Sequence, residues 1–341
     1  MARSRRVAAA GAVAAAAALM GGCVAWASRR NRRLVRPPVV GPDGVPYPCR
    51  HLTYSDGVGA EYLDVGRGIP VVMLPGADGM KETFRYQIPA FASRHRVIVA
   101  DVRDRLDPDD TFDRLADDVA ELMDDRGVGS AVLMGQSLGG AVAMRFALRY
   151  PERVRALVVS NSLTHVTLEH VGLNRTGLIP LARLTSRYLP TPASRALARI
   201  WSRVGVWVYD DSPGWANVVD YVLWTGPRTV PSSVSKGRVD LFRQVDLRSD
   251  LALIRVPTLV IHGERDTYMP PHWWRDILSA VPGARSVEIP ETGHCSHISM
   301  PGAFNRAVLQ WLRQTAASQR VPGASRSSTG RSSPFPEESP T

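Results

Sequence analysis

Three short stretches carry residue types that could perform acyl transfer together. The first is Gly135-Gln136-Ser137-Leu138-Gly139, a G-x-S-x-G pattern between the apolar run 131–134 and the helix-forming run "AVAMRFALRY". A serine hydroxyl is a weak nucleophile until a base takes its proton. The stretch "ETGHCSH" (291–297) offers His294 as that base. The stretch "HGERDTYMPP" (262–271) offers Asp266, a carboxylate able to fix the imidazole tautomer and stabilise its charged form. Ser137, Asp266 and His294 are therefore the candidate catalytic residues. The five-residue pattern is weak by itself; its place between a strand and a helix gives it meaning. A chain turning that sharply forces the serine into a strained backbone conformation and brings strand and helix into contact. Gly135, Gly139 and Gly140 lack the Cβ atoms that would collide. The hydroxyl is then exposed at the carboxyl edge of a sheet, and the positive end of the following helix faces it.

Such an arrangement needs elements that bring three distant stretches to one edge. The runs 70–76, 95–102, 130–136, 155–161, 257–263 and 285–291 read as strands, most of them apolar throughout. That is the pattern of parallel strands buried on both faces. Residues 60–66 read as an antiparallel strand at the start. Phe112, Leu115, Val119 and Leu122 recur at helical spacing and predict a helix over 111–127, with Thr111 as N-cap and Gly127 past its end. Residues 270–283 and 303–314 behave likewise. Repeated alternation of this kind predicts a doubly wound, mostly parallel α/β sheet with helices on both faces. The alternation breaks over about 163–254, where helical pieces, turn clusters and Trp201, Trp207, Trp215 and Trp224 replace strands. This span reads as a helical cap over a cleft. Asp266 and His294 follow neighbouring strands, so both loops face the edge that carries Ser137.

From about residue 50 to 315 the chain resembles the α/β-hydrolase family. "GQSLGG", "PTLVIHGERD" and "ETGH" stand as its nucleophile, acid and base segments, in the order Ser…Asp…His. The resemblance implies an oxyanion hole made of the backbone N–H groups of Leu138 and Ala77. Ala77 lies in the loop Pro75-Gly76-Ala77, where Pro75 replaces a histidine common in the family. It implies a serine hydrolase for an ester, thioester or similarly activated acyl bond of a small-molecule substrate, needing no metal or organic cofactor; the cap composition, with Trp201, Trp207, Trp215 and Trp224 among Leu, Ile and Val, suggests that this substrate is apolar. C–C bond hydrolysis and cofactor-free perhydrolysis on the same triad stay open. Haloalkane dehalogenase and epoxide hydrolase chemistry would need Asp at position 137. After the strand at 95–102 the chain reads "RDRLDPDD", without the glycine turn common in the family. That stretch, with "LPGADGMKETFRYQIPAF" and "VSNSLTHVT", resembles maspardin, a branch of the fold associated with protein binding. A non-catalytic, membrane-tethered binding protein is the alternative; His294, which that branch lacks, favours catalysis.

Other chemistry-bearing residues have plainer readings. Asp78, beside Ala77, either contacts substrate or shapes its turn. His262 reads as structural, His297 as a packing or capping residue, and Cys295 lacks the elbow a nucleophile needs. Of Trp273 and Trp274, one is expected in the core and one at the surface or a cleft. Cys23, Cys49 and Cys295 form neither a metal pattern nor an even disulfide framework.

Charge and composition set the boundaries. Residues 1–36 hold eight Arg and no acid; removing those eight from the net charge of +10 leaves about +2 over the remaining 305 residues. The basic character is terminal, which argues against a nucleic-acid-binding domain. Residues 7–28 are uncharged and long enough to span a bilayer core of ~30 Å. Residues 1–36 are read as an uncleaved membrane anchor of undetermined orientation. A cleaved signal peptide, a lipoprotein segment at "MGGC" and an Ala-rich soluble helix remain alternatives. Residues 37–49 read as a linker, 50–317 as the hydrolase domain, and 318–341, rich in Ser, Pro and Gly, as a disordered tail.

Overall fold

The computed structural model describes residues 37–103, 105–107, 110–166, 212–225, 240–241, 243–266, 268–269 and 271–320, with isolated positions at 21–22, 25–26, 193 and 196–197. Eight strands form one sheet: β1 (Arg50–Thr53), β2 (Gly59–Gly66), β3 (Ile69–Leu74), β4 (His95–Ala100), β5 (Ala131–Gln136), β6 (Val154–Ser160), β7 (Thr258–Gly263) and β8 (Arg285–Ile289). Their order is β1-β2-β4-β3-β5-β6-β7-β8. The β1–β2 and β2–β4 pairs are antiparallel and the others parallel. The flanking helices are α1 (Gln87–Ala92), α2 (Phe112–Asp125), α3 (Leu138–Arg149), α4 (Trp215–Thr225), α5 (Pro271–Ala280), α6 (Ser296–Ser299) and α7 (Pro301–Arg320). The expected doubly wound α/β sheet is present.

Strand periodicity divides the core into two layers, because successive side chains point to opposite faces. Val72, Leu74, Leu133, Leu157 and Val260 join Leu115 and Val119 of α2, Phe146 of α3 and Trp273 of α5 on one face. Val71, Met73, Met134, Val158 and Ile261 join Phe91 of α1 and Phe304 and Val308 of α7 on the other. The connection after β3 therefore leaves toward one face and that after β5 toward the other. Neighbouring strands whose connections diverge open a crevice at their carboxyl ends, where α/β folds bind ligands.

Several local features differ from expectation. β1 pairs with β2 although its four residues carry too little pattern to announce a strand. The 37–49 segment is more than a linker: Val40 bridges Pro46, and Val39 is buried against the core. Thr111 holds the N-cap position of α2, but its hydroxyl makes no capping bond. The Phe112 N–H donates instead to Gln244 Oε1, at 3.2 Å. α7 runs to Arg320, past the expected start of the tail at 318; residues 321–341 lie outside the described residues. Most of the expected cap lies outside them too, including Trp201 and Trp207; within them the cap supplies α4. Among the described residues no helix is long and apolar enough to cross a membrane, and nearly all of the expected anchor at 7–28 lies outside them.

The loop that lacks the glycine turn is held by a buried ion cluster. The Arg103 side chain is fully buried. Its Nε and Nη2 donate to the two Asp118 oxygens at 2.8 and 2.9 Å, and Nη2 also reaches Asp56 at 2.6 Å. Nη1 meets Asp110 at 3.2 Å. A guanidinium offers five donors in a fixed fork, so a single side chain ties the loop to α2 and to the turn after β1. Burial pushes the Asp118 carboxyl up while Arg103 pulls it down. Arg103→Met should lower unfolding free energy by about 2–3 kcal/mol, because buried Asp118 loses two charge-assisted hydrogen bonds and keeps only Arg114, at 2.9 Å, as its counter-ion. Urea denaturation checks this; a loss under about 1 kcal/mol would contradict the cluster's structural role.

Candidate active site

Ser137 sits between β5 and α3 with φ 53° and ψ −121°. This is left-handed backbone that non-glycine residues seldom adopt. The glycines around it are required by space. A Cβ on Gly135 would collide with the Gly139 carbonyl, and one on Gly139 with the Leu74 carbonyl. A Cβ on Gly140 would meet Ser162 Oγ at 2.5 Å. Two bonds hold the strained residue: its N–H donates to the Ser160 carbonyl at 2.9 Å, and Ser162 Oγ donates to its carbonyl at 2.6 Å.

The loops that carry Asp266 and His294 leave β7 and β8 side by side. Asp266 Oδ2 lies 3.1 Å from His294 Nδ1, both side chains being 6% exposed or less. The other oxygen, Oδ1, accepts the N–H groups of Tyr268 and Met269, each at 2.9 Å. Asn161 Nδ2 donates to Oδ2 at 2.8 Å. A carboxylate facing Nδ1 places the imidazole proton there and leaves the Nε2 lone pair available. Gln136 Nε2 lies 3.3 Å from that Nε2 and also donates to the His294 carbonyl at 3.3 Å. Asp266 and His294 are thus joined directly. Ser137 Oγ makes no hydrogen bond to His294; Gln136, its chain neighbour, occupies that side of the ring.

The loop after β3 closes against the elbow. A Cβ on Gly76 would meet Gln136 Oε1 at 2.5 Å and the Ser137 Cβ at 3.3 Å, so a side chain here would displace the Gln136 amide and crowd the serine. Ala77 follows directly. Leu138, as the first residue of α3, has a backbone N–H without an intrahelical acceptor. Asp78 accepts a hydrogen bond from the Tyr221 hydroxyl of α4, so it braces cap against loop. Further along, the Lys81 N–H donates to Asp101 at 2.8 Å and its ammonium meets Glu61 at 2.7 Å. Burial opposes the Lys81 charge, but Asp101, Glu82 and Glu61 override it and raise its pKa.

The remaining candidates are structural here. Burial pushes His297 down to about 3, aided by repulsion from His294. Its Nε2 faces Thr83 Oγ1 at 3.1 Å and its carbonyl accepts the Gln87 amide at 2.8 Å. Burial likewise pushes His262 down to about 4. His262 stacks on Trp274 with ring centroids 4.1 Å apart. Trp273 is in the core and Trp274 half-buried. Neither Cys49 nor Cys295 is in a disulfide. A small cavity borders Asn161 and Asp266, with His262 and Trp274 on its wall; Ser137 does not line it. Among the described residues no cluster of three His, Cys, Asp or Glu side chains is placed to hold a metal ion. Sequence reasoning missed Gln136, Asn161 and Tyr221. Asn161 carried a usable signal: Asn just past an apolar strand tolerates left-handed backbone, and its φ is 44°.

The alpha/beta hydrolase fold family matches residues 69–301. Serine hydrolase BPHL of Mus musculus is 27% identical over 76% of this chain and 84% of its own length. Polyketide synthase ThaQ of Burkholderia thailandensis is 30% identical over 80% of this chain, which spans only 13% of that much longer protein. A crystal structure of a hydrolase from Pseudomonas aeruginosa superposes with a TM-score of 0.63 at 26% identity, covering 77% of this chain and 98% of that one.

The elbow generates a paired expectation. Ser137→Gly removes left-handed strain and should raise unfolding free energy by about 1 kcal/mol. Gly139→Ala drives a Cβ into a backbone carbonyl that cannot move aside, and should cost about 3 kcal/mol. Chemical denaturation of both variants checks this; equal stabilities would mean the turn is unstrained.

Proposed function

Because the chain belongs to the alpha/beta hydrolase fold family, we propose that it is a serine hydrolase cleaving an ester, thioester or similarly activated acyl bond through Ser137, His294 and Asp266. The observation that carries this reading is the Asp266–His294 hydrogen bond of 3.1 Å beside a serine held at φ 53°. In this reading the Ser137 hydroxyl rotates onto His294 Nε2 and takes the place of the Gln136 amide. Catalytic hydrogen bonds often tighten only when substrate is bound. Ser137 Oγ then attacks the carbonyl carbon while His294 receives the proton. Asp266 stabilises the imidazolium without taking that proton. The tetrahedral oxyanion is received by the Leu138 and Ala77 N–H groups, a contribution of about 3–4 kcal/mol per donor. His294 next protonates the leaving group. Water, activated by the same imidazole, releases the acid from Ser137.

A fluorophosphonate probe should label the wild-type protein, fail on Ser137→Ala, and react about a thousandfold or more slowly with His294→Ala. A folded protein that never labels would remove the catalytic reading and favour non-catalytic binding. The uncharged span 7–28 and its flanking arginines support membrane association as part of the same reading. Deleting residues 1–36 should move the protein from the membrane pellet to the supernatant on centrifugation. An unchanged distribution would count against the anchor.

A further inference from the structure

We propose that Asn161 is a positioning residue that fixes the distance between Asp266 and His294; the proposal rests on the hydrolase reading above. Asn161 follows the last residue of β6 and is 2% exposed. Its N–H donates to the Ile261 carbonyl at 2.8 Å, which extends the β6–β7 ladder by one step. The sheet therefore sets where this side chain starts. Its left-handed φ of 44° then turns the chain out of the strand.

All of the side chain's polar groups are engaged. Nδ2 donates to Asp266 Oδ2 at 2.8 Å and to the Gly293 carbonyl at 3.2 Å. Oδ1 accepts from Ser296 Oγ at 2.8 Å and from Ser160 Oγ at 3.1 Å. A carboxylate and a carbonyl can only accept, so the amide cannot be turned over without losing both bonds. The Asp266 oxygen that Asn161 holds is the one facing the imidazole. The Tyr268 and Met269 N–H groups fix only the other oxygen, about which the carboxylate could still pivot. Gly293 immediately precedes His294, so one amide group ties the acid and the start of the base segment to the sheet. Its neighbours do the same for the nucleophile, since the Ser160 carbonyl and Ser162 Oγ hold the Ser137 backbone. A hydrogen bond to a carboxylate away from water is stronger than one between neutral groups.

The test uses two variants, the full chain and p-nitrophenyl butyrate. Asn161→Gly keeps a residue at ease with positive φ and removes only the amide. Asn161→Asp keeps an acceptor for the two serines but turns an oxygen toward Asp266 and Gly293. Asn161→Gly should lower kcat about 10–100-fold with KM within about twofold of wild type, as expected for a misplaced catalytic group. Asn161→Asp should lower it further. The downfield proton resonance of the His294 Nδ1–H, present in wild type, should weaken or vanish in both. A folded variant with kcat within twofold and that resonance intact overturns the proposal, as does a change in KM alone. If Asn161→Gly does not fold, the same two readouts on Asn161→Asp decide. If the wild-type protein neither labels nor hydrolyses, the hydrolase reading falls. The positioning claim is then judged by the resonance alone: retained in the variants it is overturned, lost it is supported.

Discussion

The architecture depends on how closely β5, α3 and the loop after β3 approach one another around Ser137. Four glycines bear this contact, and at Gly135 and Gly139 the obstacle is a backbone carbonyl. Backbone cannot swing aside as a side chain can, so the approach exists only without Cβ atoms. Left-handed backbone at a serine costs on the order of 1–3 kcal/mol and persists only where surroundings over-determine it. Here they do: the sheet supplies an acceptor at Ser160, α3 begins at once, and Ser162 holds the carbonyl. The strain has a use, since a relaxed serine would lie within the strand or the helix and present its hydroxyl to one face of the sheet.

The site is also an exercise in satisfying buried polar groups. A carboxylate that is 4% exposed is tolerable only if its oxygens are hydrogen-bonded. Asp266 has four partners from three segments: two backbone N–H groups of its own loop, Asn161 and His294. Arg103 and Lys81 obey the same rule with opposite sign, each surrounded by carboxylates. These clusters brace the loops that follow β3 and β4, on the side of the crevice away from the acid and base. The edge that carries Ser137, Asp266 and His294 is braced from both sides by buried polar groups.

Residues that act over short sequence intervals were legible in the chain. Continuous apolar runs announced buried parallel strands, and glycine spacing announced the elbow before any geometry was known. Ser137, Asp266 and His294 could be named because each follows a recognisable strand. Gln136 could not be, because its partner lies more than a hundred residues away, and Asn161 shows in the sequence only as a turn residue, since its partner Asp266 is as distant. Arg103 shows the same limit: three aspartates within reach look like a solvated acidic patch until the fold buries the guanidinium among them. β1 was missed because a four-residue edge strand has almost no periodicity to read. Thr111 takes the expected N-cap position, but tertiary structure supplies Gln244 as the acceptor for the Phe112 N–H.

The divergence of the β3 and β5 connections explains why Ser137 and the loop of Gly76 and Ala77 come from neighbouring strands, while Asp266 and His294 come from the far edge. A crevice opens only where connections part to opposite faces, and Ser137 stands there. The Asp266–His294 pair needs the opposite condition, two loops leaving adjacent strands close enough to touch. β7 and β8 supply that. β6 lies between these two regions, paired with β5 on one side and β7 on the other. Gln136 reaches His294 directly from the elbow, and the carboxyl end of β6, where Ser160, Asn161 and Ser162 are found, ties Asp266 and the His294 segment to it through the sheet. Chain order and strand order together place that tripeptide between the two regions.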